Sequence, residues 1–469
     1  MSEVVQGKRT ITLILVVIAF AALMDGLDGS IVNVALPTMA TDFGTDTGTI
    51  AWVAIIYFVM MAGLMITFAR VAKNGVIKKI LFLGLVIFTV SSLFCGISTS
   101  FQMLIAFRAI QGIGAAMMGA AIPMACVRYL PPFNLGLGMG VLTMGSSLGF
   151  ALGPVVGGIL TDLLSWHWIF LINVPLGLII IALLLKVLPA DEGYNGNKID
   201  ITGAALLLAA IIFGVLALER APYSEEMGLV MFCTAACILF LIAFIIVELK
   251  KTDPILNVRV FKHWRFDSVL FAYMLANLTY MGMLYLMPFY MHVCMGFSTS
   301  VSGMYLLISP VLTLIFCIPI SRLSDRTERR IFSITACMIM TLGCVIMAVY
   351  SRESLILPLV ATLICMGLMW AFCGGPMSSR VVENIADESR EMGSSLMNEF
   401  VYLGGTIGTA LFAMLFTIGS GAGNVNFSDL PQDVFLDGFV FAMIAATIIS
   451  AVSVFLSFIV KEKRKKAVE

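Results

Sequence analysis

The chain has 469 residues, 60% of them hydrophobic and only 12% charged, with a mean hydropathy of +1.03. A soluble domain carries about a quarter of its residues as charges, so composition excludes a soluble protein and points to an all-α polytopic membrane protein. The 28 basic and 28 acidic residues cancel, no nucleic-acid partner is expected, and the ten cysteines lie singly in apolar runs without CxxC or metal-ligand spacing.

Cutting the sequence at polar clusters, with about 20 apolar residues needed per crossing, predicts fourteen spans. They cover about 10–38, 48–71, 78–98, 101–127, 135–163, 167–188, 200–219, 227–248, 266–292, 299–321, 330–350, 354–375, 391–419 and 435–460. The first run follows Lys8 and Arg9, lacks a small-residue cleavage site and is too long for a signal peptide, so it is retained as a span. With both termini cytoplasmic, 25 of the 28 lysines and arginines fall in cytoplasmic segments. Arg220 and Arg352 fall outside and Arg108 lies within a span. That asymmetry obeys the positive-inside rule and supports the even count.

The first span carries Asp25 and Asp28 in "MDGLDGSIVNVALP" (24–37). Residues three apart share a helix face, so both can look into one cavity. Two carboxylates so close in a poorly hydrated site cannot easily both ionise, and an incoming cation would expel a shared proton. One acid merely satisfying a neighbouring helix is the bland alternative. Arg108, in "MLIAFRAIQGIGAA", is too deep to snorkel easily and must face the interior and find an acceptor. That acceptor belongs either to a structural ion pair or to a proton or substrate pathway.

In the fifth span Gly145, Gly149, Gly153 and Gly157 repeat every four residues, with Gly158 following. They make a groove for another backbone, and Pro154 should bend the helix. Static packing is the alternative reading. Between spans ten and eleven, "RLSDRTERR" (322–330) holds Asp325, Arg326, Arg329 and Arg330, a carboxylate among guanidiniums able to clamp a neighbouring helix terminus and release it. A shift of 252 residues takes this loop back to "RVAKNGVIKK" (70–79), and takes Gly405 to Gly153. The pattern is that of a duplicated transporter, with residues 1–190 and 266–469 as six-helix bundles and 191–265 as a two-helix insert. Glu399, about two turns into the thirteenth span, is a further pathway candidate or a solvated mouth residue.

Five stretches in order, "LDGSIVNVALP" (27–37), "RAIQGIGAA" (108–116), "GFALGPVVGG" (149–158), "WHWIFLINVPLG" (166–177) and "SSLMNEFVYLGGTIGTAL" (394–411), resemble the fourteen-helix drug:proton antiporters of the major facilitator superfamily. The resemblance implies the major facilitator fold, two six-helix bundles and two inserted helices. It implies a role in proton coupling or cation recognition for Asp28, in proton transfer for Arg108, and in helix bending for the glycine–proline motif. The chain departs from the pattern at Lys73 and Val76, where the first gating loop usually carries an acid and a glycine, and at Gly29 and His167. Asp25 matches no family position. Asp28 is therefore expected to carry proton exchange and Asp25 to tune it.

The function expected is efflux of hydrophobic, often cationic compounds in exchange for protons, by a monomer in the cell membrane. No ATP-binding loop, haem or metal motif occurs in the sequence, so the expected drive is a proton gradient with no cofactor. The 33 Phe and 31 Met would suit an adaptable pocket, although lipid-facing surface uses the same residues. The same fold would also carry a specific metabolite, lipid or osmolyte. A non-transporting sensor or scaffold is the reading of another class, and paired acids in the core argue against it. No nucleophile–base constellation suggests an enzyme.

Overall fold

The computed structural model describes residues 8–131, 135–191, 200–251, 264–383, 390–422 and 429–460, with positions 193, 256, 258, 261 and 425 between them. The side chains of Lys73, Asp325, Arg326 and Glu399 lie outside the described residues. No strand occurs among the described residues, and fourteen helices are long and apolar enough to cross a membrane. They are α1 (Arg9–Phe43), α2 (Thr47–Ala72), α3 (Ile77–Gly96), α4 (Phe101–Tyr129), α5 (Leu137–Leu163), α6 (Trp168–Val187) and α7 (Ile201–Arg220). The others are α8 (Met227–Lys250), α9 (Trp264–Met295), α10 (Thr299–Ser324), α11 (Arg329–Glu353), α12 (Ile356–Met377), α13 (Phe400–Ser420) and α14 (Gln432–Ile459).

Helix ends follow local chemistry. Asp46, Ser100 and Ser298 accept the N–H of Thr49, Met103 and Val301 at 2.9, 3.3 and 3.3 Å, capping the starts of α2, α4 and α10. Gly44, Gly296 and Gly421 adopt φ of +59°, +65° and +63° directly after α1, α9 and α13, the left-handed turn that closes a helix. The first helix runs to Phe43 rather than ending near 38, carrying Pro37 inside it. The Thr41 hydroxyl bonds back one turn to the Pro37 carbonyl at 3.1 Å.

By their contacts the residues form two compact units. The first comprises Met1–Asn257, Met287–Leu307 and Ala422–Leu430. In it α5 lies along α1, α4 packs on both α2 and α3, α6 rests on α3 and α1, and α7 pairs with α8 and leans on α2. The second comprises Val258–Leu286, Ile308–Gly421 and Pro431–Glu469. There α12 packs on α10 and α11, and α14 on α11 and α13.

Glycine allows close backbone approach at equivalent crossings in both units. A Cβ on Gly145 would stand 2.6 Å from the Ala19 carbonyl oxygen, and one on Gly157 would stand 2.8 Å from that of Ile31. Gly149 abuts the Leu23 carbonyl and Gly153 the Ser30 side chain, so the glycine face of α5 receives α1. In the second unit, Gly404 and Gly408 on α13 meet the Met274 and Leu278 carbonyls of α9 in the same way. Without water to drive burial, this close packing is what holds membrane helices together.

Candidate functional site

The site begins with a charge that has to be compensated. Arg108 is 1% exposed and Asp28 fully buried, and their side chains form an ion pair of 2.7 Å inside the first unit. Around it five helices contribute. From α2, the Val53 carbonyl accepts the Arg108 Nε–H at 2.9 Å. From α4, Gln111 accepts Arg108 through its Oε1 at 2.8 Å and donates its Nε2–H to Asp28 Oδ1 at 3.0 Å and to Ser92 Oγ on α3 at 2.8 Å. From α6, Asn173 donates to Asp28 Oδ1 at 3.1 Å. The guanidinium lies over the Tyr57 ring, 4.3 Å from its centre, and 5.6 Å from that of Phe170.

Asp28 thus accepts three hydrogen bonds, one of them charge-assisted, which is the donor set of an ionised carboxylate. Asp25, one turn earlier on α1, stands in different surroundings. It is half-buried, and its Oδ1 accepts the Tyr57 hydroxyl at 3.4 Å. Tyr57 itself is buried, so one phenol touches both the loosely held acid and the cation that holds the other.

Gln111, Asn173, Ser92 and Tyr57 belong to this network and were not among the residues singled out from sequence. Gln111 follows Arg108 by three residues and so shares its helix face, a signal present in the sequence. Apart from Lys186 in the last turn, Asn173 is the polar residue of an otherwise apolar helix, and its Oδ1 is buried without a partner among the described residues. Nothing local announces Ser92 or Tyr57.

The glycine–proline motif divides its contacts. Gly145, Gly149, Gly153 and Gly157 face α1, whereas Gly158 meets the Thr299 carbonyl at 2.5 Å from an added Cβ and Pro154 abuts Gly303. Asp162, one turn beyond Gly158, accepts the Ser300 N–H at 2.7 Å. His167 stacks on Trp166 at 3.7 Å and bonds the Ser98 carbonyl at 3.2 Å, and Trp166 donates to Asp42 at 2.7 Å.

At the loop between α2 and α3, an acid from elsewhere in the chain engages the backbone. Asp191, just past α6, accepts the backbone N–H of Lys78 at 2.9 Å and of Lys79 at 2.8 Å, and the Tyr129 hydroxyl at 3.4 Å. Gly75, at φ +95°, lets the Gly193 carbonyl come within 2.6 Å of where a Cβ would be.

In the loop between α10 and α11, the expected clamp of Asp325 and Arg326 lies outside the described residues, as does the Glu399 side chain. Arg330 donates to the Phe458 carbonyl and lies 4.8 Å from that ring's centre. Arg380, fully buried on the helix that continues α12 to Glu383, donates to the Val460 carbonyl at 2.9 Å. Two guanidiniums therefore engage the carbonyl end of α14, where positive charge is favoured.

A sequence model of the Major Facilitator Superfamily matches residues 18–409. The riboflavin transporter RibZ of Clostridioides difficile (strain 630) is 27% identical over 406 residues, covering 86% of this chain and 88% of the relative. The multidrug resistance protein B homolog of Mycobacterium tuberculosis (strain ATCC 25618 / H37Rv) is 29% identical over 410 residues, covering 86% and 75%. In structure, the chain is similar to a bacterial homolog of the human lysosomal transporter Spinster. The TM-score is 0.71 at 14% identity, with 97% of each chain covered. A variant of the nucleoside transporter NupG aligns with a TM-score of 0.64 at 14% identity, covering 96% and 98%. With fourteen apolar helices, this fold and a family match over most of its length, the chain is a multi-pass membrane transporter, not an enzyme, and it belongs to the Major Facilitator Superfamily.

Proposed function

We propose that the protein is a proton-coupled antiporter that exports hydrophobic, often cationic compounds from the cytoplasm, working as a monomer in the cell membrane with both termini inside. The observation that carries this reading is the contrast between the two acids of α1. Asp28 is saturated by Arg108, Gln111 and Asn173, whereas Asp25 is half-buried and bonded at 3.4 Å. Asp25 is therefore the acid open to a proton or to a cationic substrate, and one displaces the other because the poorly hydrated site holds a single extra positive charge. Asp28 is the fixed anion, and it accepts a proton only if Arg108 withdraws. A turn of the Asn173 amide would then offer its unpartnered Oδ1 to the new hydroxyl. Alternating access would carry the loaded site from one side to the other, and the proton gradient is the drive, without a cofactor.

Relatives named for multidrug resistance and for methylenomycin A resistance support the substrate class. A specific metabolite is the second reading, favoured by the 27% identity to a protein named as a riboflavin transporter. Purified protein in proteoliposomes with an imposed pH gradient separates them. Gradient-dependent accumulation of several unrelated cationic dyes supports drug antiport. Accumulation of riboflavin with no dye transport supports the second reading.

A further inference from the structure

The inserted helices α7 and α8 take no part in the site above, yet they hold a second pair of acids. Asp200 caps α7, its Oδ1 accepting the Gly203 N–H at 2.8 Å and pairing with the Lys251 ammonium just beyond α8. Glu248, near the end of α8, is 2% exposed, and its Oε2 accepts the Leu256 N–H at 2.8 Å. Each acid keeps one oxygen back. Asp200 Oδ2 and Glu248 Oε1 are buried without a hydrogen-bond partner among the described residues. Both point at one spot: a Cβ on Gly203 would stand 2.8 Å from the first and 2.5 Å from the second. Glycine at 203 leaves the room in which these oxygens meet.

Among the described residues the charges at this spot do not balance: two carboxylates face one ammonium, and Lys251 is already engaged with the other oxygen of Asp200. Bare anionic oxygens buried side by side are tolerated only with something positive between them. A metal cation such as calcium takes about 6–8 oxygen ligands, far more than the two left free here. A proton between two carboxyl oxygens needs only those two. We propose that Asp200 and Glu248 hold one proton between them, Glu248 as the acid and Asp200 as the carboxylate, forming a protonation site in the insert separate from the Asp28–Arg108 centre.

Burial resists ionisation of Asp200, but the Lys251 ammonium, the Gly203 N–H and the Glu248 carboxyl together hold it below the ordinary carboxylate range. That assigns the anion to Asp200 and leaves the proton with Glu248. The other Glu248 oxygen accepts the Leu256 N–H, so losing the proton would set two anions against each other beside that contact.

Infrared spectroscopy of the full-length protein in detergent tests this. Wild type should show a carboxylic-acid carbonyl band that persists in Asp25→Asn, shifts in D2O and fades as pH rises, and Glu248→Gln should lack that band. A glutamine amide keeps the shape of the side chain, donates to Asp200 and still accepts from Leu256, so the variant should remain folded. Asp200→Asn should displace the same band, whereas Asp25→Asn should leave it unchanged, which keeps this site distinct from the one on α1. An intact band in folded Glu248→Gln would overturn the proposal, whatever happens to Asp200→Asn.

Discussion

Arg108 and Asp28, eighty residues apart in sequence, meet at 2.7 Å where neither touches solvent. A buried pair is not by itself stabilising, but breaking one strands a charge, at a cost of about 3–5 kcal/mol. Arg108→Ala should therefore lower the thermal stability of the purified protein sharply and abolish transport. Arg108→Lys should fold better yet transport poorly, because an ammonium cannot reach Asp28, Gln111 and the Val53 carbonyl together as the planar fork does. The double variant Arg108→Gln with Asp28→Asn should recover stability and not transport. Thermal unfolding in detergent, run beside dye transport, checks all three.

The α1–α5 contact makes a second prediction. Gly153→Leu should abolish transport, since its Cβ already has no room beside Ser30 and Ile31. Gly140, with open space around it, should accept Ala at little cost. Near-normal transport by Gly153→Leu would show that the close approach is dispensable.

Asp191 acts on backbone groups, which separates its role from the lysines whose amides it accepts. Asp191→Ala should lose about 1 kcal/mol, the usual worth of a helix cap. Lys79→Ala should lose almost nothing, because its N–H remains. Comparing the two melting temperatures tests the assignment.

The proposed topology puts residues 419–432, between α13 and α14, outside the cell. A cysteine at Ser428, in a background where the partly exposed Cys237, Cys294 and Cys317 are serine, should label with a membrane-impermeant maleimide on intact cells. Labelling only after lysis would contradict the orientation.

How much of this is legible in sequence depends on the reach of each interaction. The fourteen spans are, because each hydrophobic run carries its own signal and basic loops mark the alternation. The glycine face of α5 is too, since its spacing is helical and its partner needs only a backbone. Arg108 demands an acceptor, but which one is a tertiary fact. The two acids of α1 read as a matched pair by spacing, with Asp28 favoured for exchange. The bonds from Gln111 and Asn173 make the two unlike, and the proposed roles change accordingly. Asp191 is invisible to local reading because its target lies more than a hundred residues away.

Displacement of a proton from the acids of α1 by a cationic substrate is tested most directly by proton release. Dye is added to purified protein in weakly buffered detergent and the liberated protons are read with a pH indicator. Wild type should release protons in proportion to bound dye. Asp25→Asn should release none, while Glu248→Gln releases as wild type does. Undiminished release from Asp25→Asn would contradict this mechanism and place the exchanged proton on another group.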